Sequence, residues 1–197
     1  MMRSPIVLVT AVATMGTLCP VLKPFPPKFV WNASASAPIG LYRIDSAGSF
    51  SVGDLVAVGP PEPLATFLAE RGYLPKGVLL LKHILAISGQ TVCRNRFTIA
   101  VDGSDVGVAL ERDHLGRGLP TWQGCLRIPV GALFFMNRQV RDSLDGRYFG
   151  LVSTDHIIGR AVPLWTDEQG DGRFHRRVSA PSAAPFRAVN CHRPQQR

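Results

Sequence analysis

Val78-Leu79-Leu80-Leu81-Lys82-His83-Ile84-Leu85-Ala86-Ile87 is a run of apolar residues broken only by Lys82 and His83. Val, Leu and Ile dominate it, and Gly77 and Gly89 bound it. Such a run reads as a buried β-strand. Charged side chains are rarely buried unless they are paired. Here the neighbours of Lys82 at the two-residue period, Leu80 and Ile84, are apolar. Lys82 is therefore expected on their buried face, and His83 on the opposite, exposed one. The ordinary alternative is a wet strand face that carries the lysine into solvent.

Around this strand the chain reads as mainly β. Its 197 residues suit one folded domain with tails, and 19 Gly with 16 Pro favour turns and short strands. Further strands are expected at 41–44, 53–58, 126–130, 132–136 and 157–165. Segments 97–101 and 106–110 flank Asp102-Gly103 and predict a hairpin. One short helix is expected from Pro63 to Gly72, with proline in its first turn and glycine after its last. The boundaries are an N-terminal segment at 1–23, a folded domain at 24–166 and a basic tail at 167–197. The tail is polar and rich in Pro, Ser and Arg, which predicts disorder.

The N-terminal segment differs in kind. Ser4 to Leu22 carries no charge, after Arg3 and before Lys23. That length just spans a bilayer at ~1.5 Å per residue. A transmembrane anchor and a cleaved export signal are both open readings. Either puts the rest of the chain outside the cytoplasm. Lys23 to Val30, rich in proline, reads as a tether. Cys93 and Cys125 suit an oxidising compartment. A bond between them would stabilise the fold by ~3–4 kcal/mol; two separate buried thiols are the alternative. No Cys or His spacing suggests a metal, and no cofactor motif occurs. The formal charge of +8 spreads over the N-terminal segment, the domain and the tail with no basic stripe, which argues against nucleic-acid binding.

Two more segments carry candidate chemistry. Asn32-Ala33-Ser34-Ala35-Ser36-Ala37-Pro38-Ile39-Gly40-Leu41-Tyr42 places two serines on a turn. By itself it also reads as a linker. Arg141-Asp142-Ser143-Leu144-Asp145-Gly146-Arg147-Tyr148-Phe149-Gly150 is dense in polar groups. It reads as a solvated turn, or as a hydroxyl that holds a lysine beside a braced carboxylate–guanidinium pair. A serine becomes a useful nucleophile when a base takes its proton, and a lysine can be that base when burial makes it neutral.

These segments, with Gly53-Asp54-Leu55-Val56, resemble in order and spacing the motifs of the type I signal peptidases, and within them the TraF-type peptidases of conjugative transfer. The resemblance covers roughly residues 28–165. It implies a signal-peptidase-like β-rich domain and a Ser/Lys serine endopeptidase without a cofactor. Position by position, Ser36 matches the nucleophile and Lys82 the general base. Ser34 matches the oxyanion-hole hydroxyl, and Ser143 the serine that orients the lysine. Asp145 and Arg147 match the bracing pair. Ala37, His83 and Ser88 depart from the usual residues without removing a catalytic atom. The implied substrate is a membrane-tethered precursor, in particular a conjugative pilin subunit. The implied location is the bacterial inner membrane with the catalytic domain in the periplasm, or the soluble periplasm if the first segment is cleaved. A general signal peptidase of broad range and a non-catalytic envelope assembly subunit are the alternatives.

Overall fold

The computed structural model describes residues 9–10 and 26–176. The expected anchor or signal at 4–22 therefore lies outside the described residues, apart from two of its positions. So does the tail from 177. Among the described residues no helix is long and apolar enough to cross a membrane.

The architecture is mainly β, as the sequence leads one to expect. Twelve strands occur among the described residues. The larger sheet is built from β1 (Phe29–Asn32), β2 (Ile39–Asp45), β3 (Leu55–Val58), β4 (Leu80–Ala86), β9 (Ala132–Phe135), β10 (Leu151–Ser153), β11 (Ile157–Asp167) and β12 (His175–Arg176). Its order is β1-β2-β11-β3-β4-β9-β10, with β12 on β11. The smaller sheet runs β7-β6-β5-β8, from β5 (Thr91–Asn95), β6 (Thr98–Val101), β7 (Ser104–Val108) and β8 (Gly124–Arg127). Helix α1 is Glu62–Glu70, and a single turn of helix, α2, is Gly146–Phe149.

The local signals act where expected. Pro63 lies in the first turn of α1, and Gly72 follows its end at φ 68°. Asp102 and Gly103 take φ 48° and 79° and join β6 to β7, pairing Val101 with Ser104. That two-residue connection matches strand twist. β8 starts two residues earlier than the composition suggests, and this sets Cys125 opposite Cys93. The two sulfurs are bonded, tying β5 to β8.

Strand β4 organises the core. Ile84 packs with Val56, Phe135 and Val152. Ala86, past a bulge in the pairing with β9, packs with Val92, Ile99 and Phe134 between the two sheets. Leu81 points the other way, against Tyr42, Ala57 and Ala161. With both faces of the strand covered except at His83, a nearly continuous apolar run replaces a clean alternation.

At the C-terminal end the ordered chain extends beyond Thr166. β11 runs to Asp167, and Thr166 and Asp167 are buried. The Asp167 carboxylate accepts the backbone N–H groups of Gly170, Asp171 and Gly172. The chain then returns through Phe174, which packs on Trp165 and Trp31, into β12. A polar composition folds here because its polar groups satisfy one another.

Candidate active site

The loop between β1 and β2 holds Ser34 and Ser36, and Asn32 shapes it. The Asn32 side-chain amide donates to the carbonyls of Ser34, Ala37 and Pro38 at 2.8–3.0 Å. Its Oδ1 accepts from Ser34 N at 3.2 Å and from Ser34 Oγ at 3.1 Å. One buried amide thus engages five groups of a turn that has no ladder of its own, its two N–H protons shared among three carbonyls. Tyr42 OH donates to Pro38 O at 2.7 Å from the next strand. Gly40 allows the close return: at φ +149° a Cβ there would lie 2.2 Å from Trp165 O.

Ser36 Oγ lies 3.0 Å from Ser34 Oγ. A hydroxyl has one proton to donate. With Ser34 donating to Asn32, the chain runs Ser36 Oγ–H to Ser34 Oγ–H to Asn32 Oδ1.

Lys82 comes from β4 on its buried face, 2% exposed, while His83 is exposed with Nδ1 3.2 Å from Gly53 O. Lys82 Nζ donates to Ser143 Oγ at 2.8 Å. Burial penalises its charged form and brings its pKa down from 10.5 to about 8. The negative charge of Asp145 opposes that shift, and the positive charge of Arg147 adds to it.

Asp145 and Arg147 form a closed brace under Ser143. Asp145 is the N-cap of α2, its side chain accepting from Arg147 N. The guanidinium meets both carboxylate oxygens at 2.9 Å. It also donates to the carbonyls of Val140, Arg141 and Ser143 at 2.7–3.1 Å. These bonds fix the backbone on both sides of Asp142, and so the place of Ser143.

Asn137 joins all three segments. Its amide donates to Ser36 O and to Leu81 O, and its Oδ1 accepts from His83 N. Its own N–H donates to Asp145 Oδ2 at 3.0 Å. Sequence reading assigned no role to Asn137, and gave Asn32 none beyond its place in a motif. Both act on backbone groups distant in sequence, a role that residue type alone does not reveal.

Ser34, Ser36, Lys82 and Ser143 line one cleft of about 310 Å3, and Asp145 and Arg147 lie below it. No hydrogen bond joins Ser36 directly to Lys82; each is held by a serine of its own. The far wall is α1 with the 110–119 loop. Tyr73 OH donates to Asp113, and Arg117 pairs with the same carboxylate at 2.7 Å. Among the described residues no group of three or more His, Cys, Asp or Glu side chains is placed to hold a metal.

A serine hydroxyl and a buried lysine amine of lowered pKa thus share one cleft on a β scaffold. The family model for signal peptidase, peptidase S26, matches residues 2–165, and the chain belongs to that family. It is similar to the conjugal transfer protein TraF of Agrobacterium fabrum, 33% identical over 147 residues, covering 68% of this chain and 81% of that protein. It is likewise 32% identical over 173 residues to the "probable conjugal transfer protein TraF" of Sinorhizobium fredii, covering 82% and 90%. A "probable signal peptidase I-1" of Synechocystis sp. is 30% identical over 111 residues, covering 56% and 52%.

Proposed function

We propose that this protein is a serine endopeptidase that cleaves exported precursors of a conjugative transfer system, a pilin subunit in particular. The observation that carries the reading is Lys82: buried, held by Ser143 at 2.8 Å, shifted to about 8, and on the same cleft as Ser36. Membership of the peptidase family and likeness to the TraF proteins support it.

In this mechanism Ser36 Oγ attacks the scissile carbonyl while Lys82 Nζ takes its proton. The side chain must leave Ser34 and turn to Lys82; catalytic hydrogen bonds of this kind tighten when substrate is seated. The oxyanion of the tetrahedral intermediate accepts the Ser36 N–H and the Ser34 hydroxyl, whose proton turns away from Asn32. Removal of one such donor costs ~10²–10³ in rate. The intermediate collapses as Lys82 gives its proton to the departing amine, leaving an ester on Ser36. Water then attacks that ester while Lys82 takes its proton, and Lys82 returns that proton to Ser36 Oγ as the acid product leaves. Resemblance to the family leads one to expect small residues such as Ala at the first and third positions before the cut. The catalytic domain works from the inner membrane on the periplasmic side, where precursors are tethered by their own apolar segments.

The test is cleavage of such a precursor by the purified full chain. Ser36→Ala, Lys82→Ala and Lys82→Arg should each abolish it. A guanidinium stays charged and cannot accept the proton. Cleavage by Lys82→Arg at the wild-type rate would remove the lysine from the mechanism.

A further inference from the structure

A second and larger depression also reaches Ser36. It encloses about 860 Å3 on the far side of the 33–38 loop, and Ala35, Ser36 and Val140 line both clefts. Ser36 therefore stands at their junction. A polypeptide laid across Ser36 must leave one cleft and enter the other. The larger groove has an apolar lining that includes Ile39, Val52, Ile84, Val106 and Met136. Its charged lining is Asp102, Asp105, Asp167 and Glu168 against Arg138, with His83 beside them.

These acids are not equivalent. Asp167 is consumed by the turn it closes, accepting backbone N–H groups of 170–172. Asp102 braces the hairpin through Thr91 N and Gln90, and Glu168 accepts from Thr166 Oγ1. Hydrogen bonds from backbone N–H groups hold the Asp102 carboxyl below its ordinary pKa, and those to Asp167 do the same against the penalty of its burial. Asp105 is exposed on β7. Arg138 donates its Nε to Val106 O at 3.1 Å, which anchors the one lining guanidinium to the wall.

We propose that this groove binds the substrate chain on one side of the scissile bond and selects a lysine or arginine within about four residues of the cut, ~13 Å of extended chain. The inference rests on the peptidase reading and adds the charge of the substrate to it. A long cationic side chain suits both parts of the lining: its methylene stem lies on the apolar floor while its head reaches the carboxylates. The carboxylates at the rim are partly solvated, so each contributes little and the sum is a preference rather than an absolute requirement.

The test uses sets of three internally quenched peptides, each with one Ala-x-Ala cleavage site. Within a set the three carry Lys, Glu or Ala at one position, taken in turn from the second and fourth before the cut and the first four after it. With the full chain in low salt, the Lys peptide should exceed the Glu peptide in kcat/KM by roughly threefold to tenfold. The difference should be confined to one side of the cut and shrink in 0.5 M salt. Asp105→Lys combined with Glu168→Lys should reverse the ratio. A merely structural role for these residues would lower both rates together. Equal rates for the Lys and Glu peptides, cleaved by a Ser36-dependent activity, would overturn the groove assignment alone. Cleavage that survives Ser36→Ala would overturn the peptidase reading instead. Residues 177–197 carry four arginines and no acid. If deleting them raised all rates equally and no charge preference appeared, the groove would belong to that segment and the proposal would fail.

Discussion

Lys82 and Arg147 are two buried cations on neighbouring elements, 2% and 1% exposed, and the fold treats them in opposite ways. Arg147 faces a carboxylate at 2.9 Å through two nitrogens and gives its remaining donors to backbone carbonyls. Lys82 has one neutral partner, the hydroxyl of Ser143. A buried charge is tolerable when paired and fully hydrogen-bonded. Without such a partner the group shifts toward its neutral form. Arg147 therefore remains a structural charge, and Lys82 becomes a group that can exchange a proton near neutral pH. Had the lysine met the carboxylate directly, its charge would have been fixed and its use as a base lost.

Removing the carboxylate breaks the contrast most severely. Asp145→Ala leaves the Arg147 guanidinium buried and uncompensated. The expected loss is about 3–5 kcal/mol of unfolding free energy, measured by urea denaturation at pH 7. A loss below about 1 kcal/mol would mean that the guanidinium is solvated and the brace unimportant. Cleavage should fall as well, because Asp145 also holds Asn137 N and, through Arg147, Ser143.

The opposite change is expected at Lys82. Its folded pKa, about 8, lies below the ordinary 10.5. The unfolded chain thus binds the proton more tightly, and below pH 8 the fold bears the whole penalty. At 1.36 kcal/mol per unit that is about 3 kcal/mol. Lys82→Met should therefore abolish cleavage yet raise stability at pH 7 by up to that amount. The gain should shrink as pH rises from 8 toward 10.5, where the wild-type lysine is neutral in both states. Denaturation at pH 7 and pH 10 checks this. A destabilised Lys82→Met at both values would show that the ammonium is well accommodated.

Much of this contrast was legible in the chain. A lysine between Leu81 and His83 in an apolar strand announces an unusual environment, because the two-residue period puts it with Leu80 and Ile84. Pro63 and Gly72 delimit α1, and Asp102-Gly103 sets a hairpin. What was not legible depends on contacts formed between distant segments. Asn137 reaches Ser36 O and Leu81 O, 101 and 56 residues away. Nothing local separates it from a surface asparagine. Asp167 ends a strand by binding its own following turn, so a polar composition concealed an ordered segment up to Arg176. The hydrogen-bond chain from Ser36 through Ser34 to Asn32 also depends on a turn geometry that small residues permit but do not specify.

In the proposed mechanism Lys82, its pKa lowered by burial to about 8, is the base that activates Ser36. The direct measurement is the pH dependence of kcat/KM for peptide cleavage, which reports the free enzyme. Activity should rise with pH along a single limb centred near 8, and His83→Ala should leave that limb in place. A limb centred near the ordinary histidine value of about 6.5 that disappears in His83→Ala would contradict the claim and give the role to the exposed imidazole.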